Sequence, residues 1–111
     1  MLSDKINIVF LGTPDIGLPT LKHFYNSNEF NIQAVVTQPD RPSGRGHKLT
    51  PSPIKVFSTE NNIPVFQPKS IRKEPEIINA LKELKPDFFV TFAFGQILSQ
   101  EVLDIPKYET I

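Results

Sequence analysis

Between Gln38 and Lys55 the chain sets Arg41, Arg45, Lys48 and Lys55 against a single carboxylate, Asp40, with His47 among them. Cations strung along glycine and proline suit one kind of chemistry, contact with phosphate oxygens. Spacing alone leaves a second reading open, ordinary solvated charge. The chain as a whole has a formal net charge of zero, so the positive charge of this stretch is a local feature. A protein that coats nucleic acid over its whole surface is therefore excluded. Four prolines (Pro39, Pro42, Pro51, Pro53) and two glycines (Gly44, Gly46) fall between Thr37 and Lys55. Proline removes backbone donors and glycine admits conformations other residues avoid, so the stretch reads as a long irregular loop, neither helix nor central strand.

Other chemistries find little support. The chain has no cysteine, which rules out a thiolate nucleophile, a thiolate-held metal and a disulfide framework. The two histidines, His23 and His47, are far apart in sequence, and neither has an evident partner for a Ser-His-Asp or metal constellation. His23, between Lys22 and Phe24, reads as an exposed helix residue. Gly12-Thr13-Pro14-Asp15-Ile16-Gly17 lacks the second glycine of a dinucleotide fingerprint and the Lys-Ser/Thr of a phosphate-binding loop. It reads as a strand-to-helix turn whose helix N-terminus could meet an anion.

The elements that must hold such residues follow from apolar patterning. Residues 6–11 are β-branched and nearly all apolar, as expected of a strand buried on both faces of a parallel sheet. A helix carrying Leu18, Leu21 and Tyr25 on one face leads to a second strand over 32–37, making a βαβ unit. After the basic loop, Ser52-Pro53 reads as an N-cap followed by proline in the first helical turn. That helix turns Ile54 and Phe57 inward, and a short strand follows at 64–67. Pro75 opens a helix striped with Ile77, Ile78, Leu81 and Leu84. Residues 87–93 form the most apolar strand, predicted to be central, and Ser99 caps a last short helix. The implied fold is α/β, a doubly wound, mostly parallel Rossmann-like sheet, and residues 1–111 suit one domain or a truncated piece of one. Ligands of such sheets bind outside the carboxyl ends of the strands, where Gly12–Asp15, the basic loop and Phe94–Leu98 should meet.

With 39% hydrophobic residues and nine Phe the chain can build a core, so global disorder is excluded. No apolar run approaches the ~20 residues of a membrane span. Met1–Lys5 leads almost directly into the first strand, leaving no room for a signal or transit peptide. A cytoplasmic protein is expected.

Four blocks carry a family resemblance: Phe10–Asp15, Val36–Gly46, Lys48–Lys55 and Ala93–Leu98. In register along the chain, they resemble the methionyl-tRNA formyltransferases. The block Gln38-Pro39-Asp40-Arg41-Pro42, followed by Gly44-Arg45-Gly46 and Pro51-Ser52-Pro53, distinguishes that group from glycinamide-ribonucleotide and sugar formyltransferases. The resemblance implies formyl transfer from 10-formyltetrahydrofolate to the amine of methionyl initiator tRNA. It implies that Arg45, flanked by Arg41, His47 and Lys48, contacts the tRNA. It also implies that Phe94, Gly95, Gln96, Ile97 and Leu98 form the wall that meets the folate. The family's catalytic Asn and His lie in an Asn-x-His-x-Ser-Leu-Leu-Pro segment, expected to begin just beyond Ile111, with an Asp further on. No catalytic residue and no metal ligand is therefore assigned within 1–111, and the fragment alone is expected to be inactive.

Two positions depart from the family pattern. Phe94 replaces a common Tyr and so lacks its hydroxyl, and Glu109 replaces a common glycine. A chain ending at Ile111 should also bare an apolar strand edge and so self-associate. The rival readings are a sugar or nucleotide formyltransferase of the same fold and an RNA-binding module without catalysis. If Arg45 contacts a phosphate, Arg45→Ala lowers the salt slope of tRNA binding by about 1. An unchanged slope, read from a salt titration, would remove Arg45 from the interface.

Overall fold

The computed structural model describes residues 5–43, 46 and 48–111. Strand β1 (Ile6–Gly12) is followed by a 3-10 turn and helix α1 (Leu18–Asn26), then β2 (Phe30–Val36). A two-stranded ribbon comes next, β3 (Arg41–Ser43) and β4 (Lys48–Thr50). Helix α2 (Pro53–Glu60), β5 (Val65–Phe66), a 3-10 turn at Ile71–Lys73 and α3 (Pro75–Leu84) follow. The chain continues through β6 (Phe88–Phe92), α4 (Gln100–Leu103) and β7 (Glu109–Thr110).

The main sheet has the order β5-β2-β1-β6-β7, and every pairing in it is parallel. β1 holds the middle place, not β6, which was expected there. The burial of the two strands agrees: the last five residues of β1 are all buried, whereas β6 buries only Phe89. Alternation along the strands feeds two cores. Val9, Leu11, Ala34, Val36 and Phe89 face α3 and α4 through Ile78, Leu81 and Val102. Phe10 and Val35 face α1 and α2 through Leu21 and Ile54. Helices on both faces of a parallel sheet make the fold doubly wound.

Local signals account for the helix boundaries. The Ser52 hydroxyl accepts from Lys55 N at 3.2 Å, and Ser99 does the same for Val102 N at 3.3 Å. Each satisfies a donor that the first helical turn leaves open. Pro19, Pro53 and Pro75 all lie in the first turns of their helices, where the missing N–H costs nothing. Lys85, at φ 52°, closes α3 in the left-handed region. Tyr25 is less buried than its place in the α1 stripe implies, 42% exposed, with its ring edge-on to Phe57 at 5.4 Å.

Two further expectations are corrected. The stretch after Thr37 is not irregular: Arg41 pairs with Thr50, Pro42 with Leu49 and Ser43 with Lys48 in an antiparallel hairpin. Pro42 is compatible with it because a two-stranded ribbon leaves half its backbone donors facing outward. The expected bare edge of β6 is also absent. Phe88 and Phe89 pair with Glu109 and Thr110, and Thr91 donates to the Ile111 carbonyl through its N–H at 2.9 Å and its hydroxyl at 2.8 Å. A few residues in register suffice to cover the edge, so the argument for self-association by that route lapses.

Candidate functional site

The C-terminal ends of β1, β2, β5 and β6 converge, and side-chain hydrogen bonds tie them together. Thr13, just after β1, is the first tie. Its hydroxyl donates to the Phe94 carbonyl at 3.4 Å and accepts from the Thr37 hydroxyl at 3.2 Å and from Gln38 N at 3.0 Å. One proton and two lone pairs are thereby all used. Thr37 itself is fully buried.

Gln38 is the centre of the second tie. Its side-chain Oε1 accepts from Gln96 Nε2 at 2.7 Å, and its carbonyl accepts from Gln67 Nε2 at 3.2 Å. Gln96 Nε2 also donates to the Pro68 carbonyl at 2.7 Å, while its Oε1 accepts from Ile71 N at 2.8 Å. One carboxamide therefore bridges the loops that follow β2, β5 and β6. The third tie fixes the root of the arm (residues 39–51). Lys55 Nζ meets both oxygens of Asp40, at 3.1 and 2.9 Å, and Gln67 Nε2 donates to Oδ1 at 2.7 Å. The Lys55 ammonium and then the Gln67 amide hold the Asp40 carboxyl below its ordinary pKa, against a small opposing effect of desolvation.

Backbone conformation shapes the loop after β6. Ala93 has φ 49° and Gly95 has φ 89°, two left-handed residues flanking Phe94. For Gly95 a side chain is opposed twice over: the conformation is strained for an L-residue, and a Cβ would lie 2.8 Å from Gln38 Nε2, which would have to shift. Strained backbone of this kind persists where surrounding contacts over-determine it.

The residues expected at a ligand wall divide sharply. Phe94 is 4% exposed and belongs to the α3-side core. Gln96 uses its amide on the protein, and Leu98 packs against that same core. Ile97 is 71% exposed, and Gly95 is exposed. Of the residues expected to touch RNA, Arg41 and Lys48 lie on the arm with exposed side chains, whereas Arg45 and His47 fall outside the described residues. Gln67 was not singled out by sequence, and Thr13 and Gln38 stood out only as members of longer blocks; their position at strand C-termini was the available signal.

Beside the network lies an open hollow of about 190 Å³, lined by Thr13, Gln38, Pro39, Arg41, Thr50 and Ser52. Such a volume is below the ~300–1,000 Å³ of a typical small-molecule pocket. It suits the insertion of a small group, with Arg41 at its wall. Among the described residues no group of three or more His, Asp or Glu could hold a metal, and no helix is long and apolar enough to cross a membrane.

Two outcomes follow from this geometry. Gln96→Ala leaves the Ile71 N–H and Pro68 carbonyl without their partner, a loss of about 1–3 kcal/mol. Hydrogen exchange at the Ile71 amide should accelerate while amides in β1 keep their protection; unchanged exchange at Ile71 would contradict the bridge. The Asp40 clamp has a defined pH direction. Because its folded pKa is lowered, its stabilisation is complete above the ordinary carboxylate range and lost as pH falls through the lowered value. Carboxyl NMR should find Asp40 titrating below a free aspartate, and Lys55→Met should raise the midpoint; coincident midpoints would refute the clamp.

Comparison with known proteins completes the description of this edge. The sequence profile described as "Formyl transferase" matches residues 6–111. A methionyl-tRNA formyltransferase of Clostridium perfringens (strain 13 / Type A) is 57% identical over 106 residues, covering 96% of this chain and 34% of that protein. One from Francisella tularensis subsp. tularensis is 54% identical over 104 residues, covering 94% of this chain and 33% of that protein. The chain thus spans about a third of the length of the curated relatives it matches. Among solved structures, phosphoribosylglycinamide formyltransferase from Anaplasma phagocytophilum superposes with a TM-score of 0.65 at 16% identity, over 96% of this chain and 48% of that one. At that identity the likeness speaks for the fold.

Proposed function

Because the chain belongs to the formyl transferase family, we propose that residues 1–111 are the N-terminal part of the catalytic domain of a methionyl-tRNA formyltransferase. In this reading the complete enzyme moves the formyl group of 10-formyltetrahydrofolate to the α-amine of methionyl initiator tRNA, in translation initiation. The neutral amine attacks the formyl carbon, and a C–N bond forms as the carbonyl becomes a tetrahedral oxyanion. The bond to the folate nitrogen then breaks, and the proton lost by the attacking amine passes to that leaving nitrogen. The acid–base groups for these steps are those of the family's Asn-x-His segment, with its Asp. The residues of this chain bind and orient.

The observation that carries the reading is the Gln38–Gln96 hydrogen bond, 2.7 Å long. It joins the root of the cationic arm to the loop assigned to the folate, so an RNA end held by one reaches a formyl group held by the other. Arg41 and Lys48, with Arg45 and His47 by resemblance, take RNA phosphates. Ile97 and the Gly95 backbone supply the exposed surface of the folate loop, while Phe94, Gln96 and Leu98 support it from behind. The distinctive 38–55 block and the 57% identity to the Clostridium perfringens enzyme favour tRNA over a sugar or nucleotide acceptor.

The decisive experiment uses the complete protein with 10-formyltetrahydrofolate and a panel of amine acceptors. Methionyl initiator tRNA should be formylated, and Arg41→Ala with Lys48→Ala should raise KM for tRNA several-fold while leaving KM for the folate unchanged. Formylation of glycinamide ribonucleotide or an amino sugar instead would transfer the assignment to those enzymes. RNA binding without transfer would leave a binding module.

A further inference from the structure

A second group of cations follows β5, on the turn that packs against α3 and α4, and is not absorbed by the site. β5 leaves the sheet next to β2, and the segment after it carries Lys69, Arg72 and Lys73. All three are exposed. The ion pairs among the described residues are Lys55–Asp40 and Lys82–Glu101, so these three cations stand outside them. Two carboxylates lie close by: Glu74 accepts the Ser70 N–H at 2.8 Å, and Glu101, which accepts from Lys82, lines one hollow with Arg72 and Lys73.

The backbone beneath the cations is fixed. Gln96 holds both the Pro68 carbonyl and the Ile71 N–H, and the Ile71 side chain is fully buried. A charge on an anchored backbone loses less freedom on binding than one on a free loop. The distribution of charge along the sequence is equally uneven. Residues 38–73 hold seven Lys or Arg against two carboxylates, Asp40 and Glu60, while the rest of the chain holds five against ten. Formal neutrality therefore conceals a cationic segment, and that segment builds the arm and the run beyond β5.

We infer that Lys69, Arg72 and Lys73 form a second phosphate-contacting surface, which continues the interface of the arm past the end of β5 along the backbone of the same RNA. This rests on the RNA reading given above. A polynucleotide fits better than a small anion because the two cationic groups flank one junction. Gln67 ties that junction to Asp40 at the arm root, and Gln96 ties it to the run. A ligand meeting both groups must carry negative charge over a long span, as a chain of phosphates does.

The test uses the complete protein and initiator tRNA titrated across a range of KCl. The variant K69A/R72A/K73A should lower the slope of log K against log salt by about 2, at ~0.7–0.9 per lost contact. The charge-preserving K69R/R72K/K73R should keep the parent slope, which separates lost charge from disturbed folding. An unchanged slope in the alanine variant overturns the inference. So does an effect confined to KM for polyglutamylated folate, which would give the run to the donor's anionic tail. If R41A/K48A lowers the slope and the triple variant does not, the inference alone fails. If neither changes it, the RNA reading fails as well.

Discussion

The side-chain amide of Gln96 is the constraint on which the rest of this edge depends. A carboxamide offers donors and an acceptor at one end, so it can bridge backbone groups of opposite polarity without bringing in charge. Here it holds the loops after β2, β5 and β6 in a single arrangement. Strand pairing alone does not do this. A parallel sheet fixes the strands, but each leaves its C-terminal end to a loop whose course the ladder does not determine. Three glutamines, Gln38, Gln67 and Gln96, supply that course, with Thr13 closing the side nearest β1.

Such a network is costly to leave half-made, because each polar group shielded from water without a partner loses its hydration for nothing. This accounts for the tightness around Gly95, where Gln38 occupies the space a side chain would need. It also gives the arm its footing. A three-residue ribbon has little stability of its own, yet the Asp40–Lys55 pair and the Gln67 amide fix where it leaves the sheet. Cations carried from a fixed root reach phosphate with less orientational freedom to lose.

Much of the fold was legible in the sequence because it rests on strong local signals. Apolar runs marked β1 and β6, prolines in first turns marked α2 and α3, and serine caps marked α2 and α4. The hairpin was not legible. Its strands are three residues long, all of β4 is exposed, and Pro42 reads as a breaker, so neither alternation nor propensity betrayed the pairing. β7 was hidden for the same reason, a two-residue strand lacking any apolar pattern. The arm and the loop after β6 were recognisable as blocks, but roles within them were not. Phe94 and Gln96 face inward because the left-handed turns at Ala93 and Gly95 rotate them there, and periodicity cannot show such a rotation.

The central claim is that the arm root and the loop after β6 behave as one unit through Gln38 and Gln96. A double-mutant cycle on Gln38→Ala and Gln96→Ala, read by denaturant unfolding of the complete protein, tests it most directly. The account predicts coupling of about 1 kcal/mol or more, the double variant losing less than the sum of the singles. Additive losses would show that the two segments are merely adjacent, and the claim would fall.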